Sequence, residues 1–237
     1  MSTTSGEYNL YYSVAPSTSG CGSLDPGGVV SGQIAEGALI SYTFTAQAGE
    51  AVAVRLVDTA GGSLVPAFSI YDPTGADVVS PAYGNDVASY FFQAPKSGTY
   101  TVVVYDDSTG YAATGPYNLY FTLAPGADAG GALTPGTVVT GQLVEGALDS
   151  YTFTAQIGDS VTIQVVNTTG GSLVPAFSIY DPSGADIVSP AYGPNGASYS
   201  FKAPKSGTYT VIVYDDSTGY ASTGAYTIAL TDTPAAS

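Results

Sequence analysis

The sequence predicts an all-β protein: two tandem antiparallel β-sandwich domains, jelly-roll-like, joined by a short Gly/Pro linker and preceded by an extra N-terminal strand. Three observations carry this. First, the chain repeats at an offset of 109 residues without a gap, so that Tyr42 falls on Tyr151, Asp72 on Asp181 and Asp106 on Asp215. Such a period is too long for a solenoid unit and fits a whole domain. Second, apolar residues alternate with period two, as on a half-buried strand. Third, Gly, Pro, Asp and Asn clusters punctuate the apolar runs at the spacing of a sandwich.

Three segments follow: a closing-strand copy at 1–16, a first sandwich at 17–125 and a second at 126–237. GEYNLYYSVAP at 6–16 matches GPYNLYFTLAP at 115–125 and, more weakly, GAYTIALTDTP at 224–234. The chain therefore has two domain bodies and three closing segments. In the first copy Tyr8, Leu10 and Tyr12 make the inward face. Within a body, Tyr42, Phe44 and Ala46 share one face, and Val52, Val54 and Leu56 another, opposite Ala53, Arg55 and Val57. Tyr100, Val102 and Val104 line a third strand, and Tyr117, Leu119 and Phe121 the closing one. β-branched and aromatic residues suit such pleated surfaces. The turns are DPGG at 25–28, DPTG at 72–75, YGND at 83–86 and KSG at 96–98, giving about eight strands per body. The linkers at 17–27 and 126–136 are rich in Gly, Ser and Ala, which implies some flexibility.

Nineteen acids face four bases, Arg55, Lys96, Lys202 and Lys205, for a net charge of −15. This argues against nucleic acid and anionic membranes, which need clustered bases. No apolar run is long enough to span a bilayer, so no direct membrane insertion is expected. The chain has no histidine, which removes histidine-based catalysis and metal sites, and Cys21 alone can form no internal disulfide. No enzymatic role is expected.

What remains is acid and tyrosine. The acids make calcium a candidate ligand, with Asp106, Asp107, Asp215 and Asp216 as hard oxygen donors. Asp106 and Asp107 can equally cap their own loop. Tyr83, Tyr111, Tyr192 and Tyr220 fall in turns, where a flat ring with a hydroxyl suits a glycan or a matrix protein. Lys96 and Lys205 read as solvated turn lysines. Asn167-Thr168-Thr169 matches a glycosylation acceptor, but the first body has Asp58 there.

The order EGAL-x-SYTF-x-A-x-x-G (36–49), FSIYDP-x-G (68–75), AP-x-SGTYTV-x-VY (94–105) and a closing YNL (117–119), with second copies at 145–158, 177–184 and 203–214 and YTI at 226–228, resembles the bacterial pre-peptidase C-terminal domain. The resemblance implies an extracellular or cell-surface β-sandwich attached to secreted enzymes or surface proteins. Some collagenase modules of similar fold bind calcium through acids near the domain entrance, the region where Asp25 and Glu36 stand in the first body; the second has Thr134 and Glu145. The expected function is a secreted, non-enzymatic repeat of a fibre, adhesin stalk or surface layer. Its expected partners are other copies or neighbouring repeats, through strand exchange. A glycan- or matrix-binding accessory module of a secreted enzyme, with calcium, is the alternative.

Overall fold

A computed structural model describes residues 10–16, 21–127 and 129–235. In chain order the first body has β1 (Gly28–Ile34), β2 (Ile40–Ala46), β3 (Ala51–Asp58), β4 (Pro66–Tyr71), β5 (Asp77–Tyr83), β6 (Val87–Gln93), β7 (Gly98–Asp106) and β8 (Gly115–Ala124). The second has β9 (Val138–Leu143), β10 (Asp149–Ala155), β11 (Ser160–Asn167), β12 (Pro175–Tyr180), β13 (Asp186–Tyr192), β14 (Gly196–Lys202), β15 (Gly207–Asp215) and β16 (Gly224–Thr233). A 3-10 turn at Thr218–Tyr220 is the one helical element among the described residues.

Each body is two antiparallel four-stranded sheets. The orders are β1-β8-β3-β6 and β2-β7-β4-β5 in the first, and β9-β16-β11-β14 and β10-β15-β12-β13 in the second. Apart from the hairpins β4–β5 and β12–β13, chain neighbours sit in opposite sheets, as in a jelly roll. Period-two alternation sends Tyr42, Phe44, Val54, Leu56, Phe68, Tyr100, Tyr117 and Phe121 into one core. Phe44 and Tyr100 stack at 5.0 Å between ring centroids. Tyr42 and Tyr117 meet hydroxyl to hydroxyl at 2.6 Å inside that core. The second core repeats the pair with Tyr151 and Tyr226, and Tyr226 donates onward to Asp149 Oδ2 at 2.6 Å.

The closing segments settle where each body finds its eighth strand. β8 pairs with β1 and β3 of its own body, and β16 with β9 and β11. The expected extra N-terminal strand is not formed at Leu10–Val14, which lie outside both sandwiches; Tyr8 lies outside the described residues. The slot such a strand would take between β1 and β3 is already filled by β8.

The second linker is less free than its composition suggests. Gly126 N donates to Thr210 Oγ1 at 2.8 Å, Ala129 N to Ser150 Oγ at 3.1 Å and Leu133 N to Thr152 O at 2.7 Å. Glycine here lets the backbone lie close to the sheet: a Cβ on Gly130 would meet the Tyr151 ring at 2.3 Å.

The turn lysines stay half exposed, and each is paired with an acid. Lys96 Nζ lies 2.6 Å from Asp72 Oδ2, and Lys205 Nζ 2.6 Å from Asp181 Oδ2. Each acid also accepts from its own turn, Asp72 from Thr74 N and Ala76 N. The Lys96 hydrogen bond, then Thr74, holds Asp72 well below the ordinary carboxylate range. Burial pushes Asp181 up, but Lys205 and Ser183 outweigh it and bring it to about 2. A carboxyl lowered on folding contributes stability that is intact above its ordinary pKa and is lost as pH falls through the folded one. That window runs from about pH 4 down to about pH 2 for Asp181. The double variant Lys96→Met, Lys205→Met is therefore expected to unfold at a higher pH in an acid titration followed by circular dichroism. An unmoved midpoint would mean that the pairs are too exposed to matter.

Candidate functional site

The two bodies are not beads on a string. β3 is buried along its whole length, on both faces. Val52, Val54 and Leu56 fill the first core, while Ala51 and Ala53 turn outward and pack on Ala176, Tyr180, Ile212 and Tyr214 of the second body. The outer face of β1-β8-β3-β6 thus lies against the outer face of β10-β15-β12-β13. Small alanines on β3 let the two sheets approach.

Arg55 stands at the centre of this contact and is fully buried. It projects from β3 toward the second body, where its Nη2 donates to Asp215 O at 3.1 Å; Nε donates to Ser89 Oγ at 3.0 Å. The guanidinium carbon lies 4.8 Å from the Tyr214 ring centroid, 4.8 Å from Tyr220 and 6.0 Å from Phe91. Nη1 has no hydrogen-bond partner. The ring faces are what offset its loss of water, through their negative quadrupoles. Burial pushes the Arg55 pKa down to about 10, against Tyr214, Tyr220 and Asp215, so it stays charged at neutral pH. Arg55 reads in sequence as one of four surface bases. The signal that marks it is the contrast between repeats: Ala51, Ala53 and Arg55 on one outer face, Ser160, Thr162 and Gln164 at the same places on the other.

The four tyrosines singled out by sequence divide into two kinds. Tyr83 and Tyr192, at the ends of β5 and β13, are 64% and 62% exposed and match one another. Tyr111 and Tyr220 are equivalent in sequence but not in surroundings: Tyr111 is 58% exposed, and Tyr220 is half-buried against Arg55. Both hold positive φ, 54° and 56°, in the left-handed region that bulky residues rarely occupy.

The acids of the same loops are structural caps. Asp106 is buried, and its Oδ1 accepts from Val65 N at 3.1 Å and Ser108 N at 3.0 Å. Its Oδ2 accepts from Ser108 Oγ at 2.5 Å and Ala113 N at 2.9 Å. Burial raises its pKa, but these donors outweigh burial and hold it below the ordinary range. Asp215 repeats the pattern with Val174, Ser217 and Ser222. Asp107 and Asp216 turn away and are half-buried; Asp25 and Glu36 are exposed. Among the described residues no three metal-ligating side chains gather into a group that could hold an ion. Asp106→Ala leaves the buried N–H groups of Val65 and Ala113 without acceptors and is expected to cost roughly 2–4 kcal/mol in a denaturant titration. A chelator is expected to move the melting temperature of the parent chain by less than about 2 °C.

Residues 147–215 match the family model of the bacterial pre-peptidase C-terminal domain. The second repeat is therefore a β-sandwich like that domain, a non-catalytic accessory module often found in secreted proteases. No curated protein matches the chain. Among solved structures, the pre-peptidase C-terminal domain of a Bacillus anthracis collagenase is 24% identical, over 43% of this chain and 93% of its own, with a TM-score of 0.35. The A223 turret protein of Sulfolobus turreted icosahedral virus is 13% identical, over 86% and 97%, with a TM-score of 0.26. The CUB1-EGF-CUB2 segment of human MASP-1/3 is 9% identical, over 86% and 99%, with a TM-score of 0.24.

Proposed function

We propose, proceeding from a second repeat that resembles the pre-peptidase C-terminal domain, that this chain is a non-enzymatic extracellular module of stacked repeats in a fibre, adhesin stalk or surface layer. One observation carries the reading: the repeats are locked face to face by a buried arginine and an apolar contact, as a load-bearing spacer requires. Residues 8–14 support it as well. They copy the closing strand, yet Leu10–Val14 join neither sandwich's sheets and lie along the first repeat, placed to close the sheet of a neighbouring repeat by β-augmentation. The experiment is protease shaving of intact producing cells, with electron microscopy of the released material. Release of the chain in stacked or filamentous particles is expected. A chain protected until lysis would overturn the reading.

A second reading rests on Tyr83 and Tyr192. Two matching exposed rings, one per repeat, suit bivalent binding of a glycan or matrix protein. A glycan array and a collagen pull-down with Tyr83→Ala, Tyr192→Ala test it; unchanged binding by the double variant removes it.

A further inference from the structure

The second repeat holds Arg55 through Tyr214, Asp215 and Tyr220, and Gly146 and Leu148, with Ala147 between them in sequence, stand in the same contact between repeats. The first repeat carries the same six residues at an offset of 109: Gly37, Ala38, Leu39, Tyr105, Asp106 and Tyr111. These six line an open hollow of about 280 Å³. We infer that this hollow is the receptor for the arginine of another repeat, one that presents the sheet face by which the first repeat docks on the second. The inference deepens the stacked-repeat reading by naming the surface and its occupant.

Four observations carry it. The face is built but uncovered. Leu39 is 39% exposed where Leu148 is 5%, Tyr71 and Tyr105 are half-buried where Tyr180 and Tyr214 are buried, and no guanidinium lies at Tyr111. Tyr111 nevertheless keeps the positive φ that, at Tyr220, brings the ring over Arg55. A backbone cost repeated at both positions fits a shared task.

The next observation is continuity with the interface already present. A Cβ on Gly37 would lie 3.6 Å from the Tyr11 ring, and one on Gly75 would lie 2.9 Å from Ala15 O. At the offset of 109, Gly146 faces Tyr120 at 3.5 Å and Gly184 faces Ala124 O at 3.1 Å. Residues 11–15 therefore lie on the first repeat as 120–124 lie on the second. In the second case the strand belongs to a whole docked body. On the first repeat the closing segment is in place, and a groove of about 450 Å³ opens beside it, lined in part by Ser13, Ala15, Tyr71 and Tyr105.

The last observation decides the occupant. The face that would dock must offer alanines, an aromatic ring and a central arginine. The chain's own Arg55 face is already covered by the second repeat. The outer face of the second repeat has Ser160, Thr162, Gln164 and Ser200 where the first has Ala51, Ala53, Arg55 and Phe91, and Ser160, Gln164 and Ser200 are exposed. A second copy of this chain thus has no free arginine face to supply. The occupant is a further repeat with the Arg55-type face, whose closing strand lies against the first repeat as residues 11–15 do. Stacking through this contact is one-directional: the first repeat accepts an arginine face, and the second repeat offers none.

The test lengthens the full chain by one native body, with residues 1–125 followed by 17–237, so that a first-type repeat stands before another first-type repeat. The inserted copy carries Thr109→Ser as a mass marker. Nitration of tyrosine by tetranitromethane is read by mass spectrometry. The marked Tyr111 is expected to react at least about tenfold more slowly than Tyr111 of the parent chain, and Arg55→Gln in the leading copy is expected to restore its reactivity. Three results would overturn the inference: parent-like reactivity, protection that ignores Arg55→Gln, or a lengthened chain that does not fold. Protection of Tyr111 in the parent chain as concentration rises would name a second copy as occupant instead, against the assignment made here. None of these results depends on where the protein resides in the cell, so failure here and failure of the extracellular reading are told apart.

Discussion

Arg55→Ala is expected to split the thermal unfolding of this chain into two transitions and to weaken the contact between repeats by roughly 2–4 kcal/mol. The native side chain holds two hydrogen bonds across 3.0–3.1 Å and lies over two tyrosine faces at 4.8 Å. Burying the charge works against these gains, as the pKa lowered to about 10 records. Alanine removes the cost together with the gains, but it leaves a hole between sheets and strands the Asp215 carbonyl. Methionine keeps much of the volume without the charge, so Arg55→Met is expected to lose less than alanine. Differential calorimetry reads both variants. A single unchanged transition in Arg55→Ala would mean that the alanines and aromatics around Arg55 hold the repeats together without it.

The other large effect is steric. Gly32 faces Tyr117 across the β1–β8 ladder, and a Cβ there would stand 2.4 Å from the ring carbon Cζ and from the hydroxyl oxygen. In the second repeat Gly141 faces Tyr226, with 2.3 Å between the added Cβ and Cζ. Neither ring has room to give. Tyr117 is buried with its hydroxyl against Tyr42, and Tyr226 is held by both Tyr151 and Asp149. Gly32→Ala and Gly141→Ala are each expected to cost roughly 2–4 kcal/mol, because a close-packed core absorbs an extra methyl only by shifting backbone or forcing a rotamer. For a cooperative unit of this length that is a fall of about 4–16 °C in melting temperature. Adding Tyr117→Leu to Gly32→Ala should recover part of the loss, since it removes the atoms in conflict. No recovery would place the strain in the strand rather than in the ring.

The sandwich was legible because alternation and turns are local. Tyr42, Phe44 and Ala46 declare one face of β2 wherever the sheet ends up, and DPTG closes its turn through Asp72 without help from afar. Eight strands per body suggested a jelly-roll-like pair of sheets, but the strand order rests on long-range pairing that no local pattern encodes. The DDSTGY loop stood out in sequence for its acids and its tyrosine, but the contacts those residues make did not. Aspartates beside a tyrosine suggest a cation, and the structure answers with a cation of another kind: in the second repeat the loop's tyrosine receives a guanidinium, while Asp215 caps the loop. Sequence could not show this, because Arg55 and Tyr220 lie 165 positions apart and meet only when two outer sheet faces stack. The same holds for Lys96, whose partner Asp72 sits across a turn from another strand. The repeat itself carried the missing clue. Where two copies agree almost everywhere, the places at which they differ on one face, Arg55 against Gln164 and Phe91 against Ser200, mark a surface that only one copy uses.

The two repeats form one stack through the Arg55 contact. Small-angle X-ray scattering of the full chain tests it most directly. The native profile is expected to be fitted by one two-body shape with the Arg55 face on the Tyr214 face, and Arg55→Ala to show a larger, broadened maximum dimension. A native profile that requires an ensemble of independently moving repeats would contradict it.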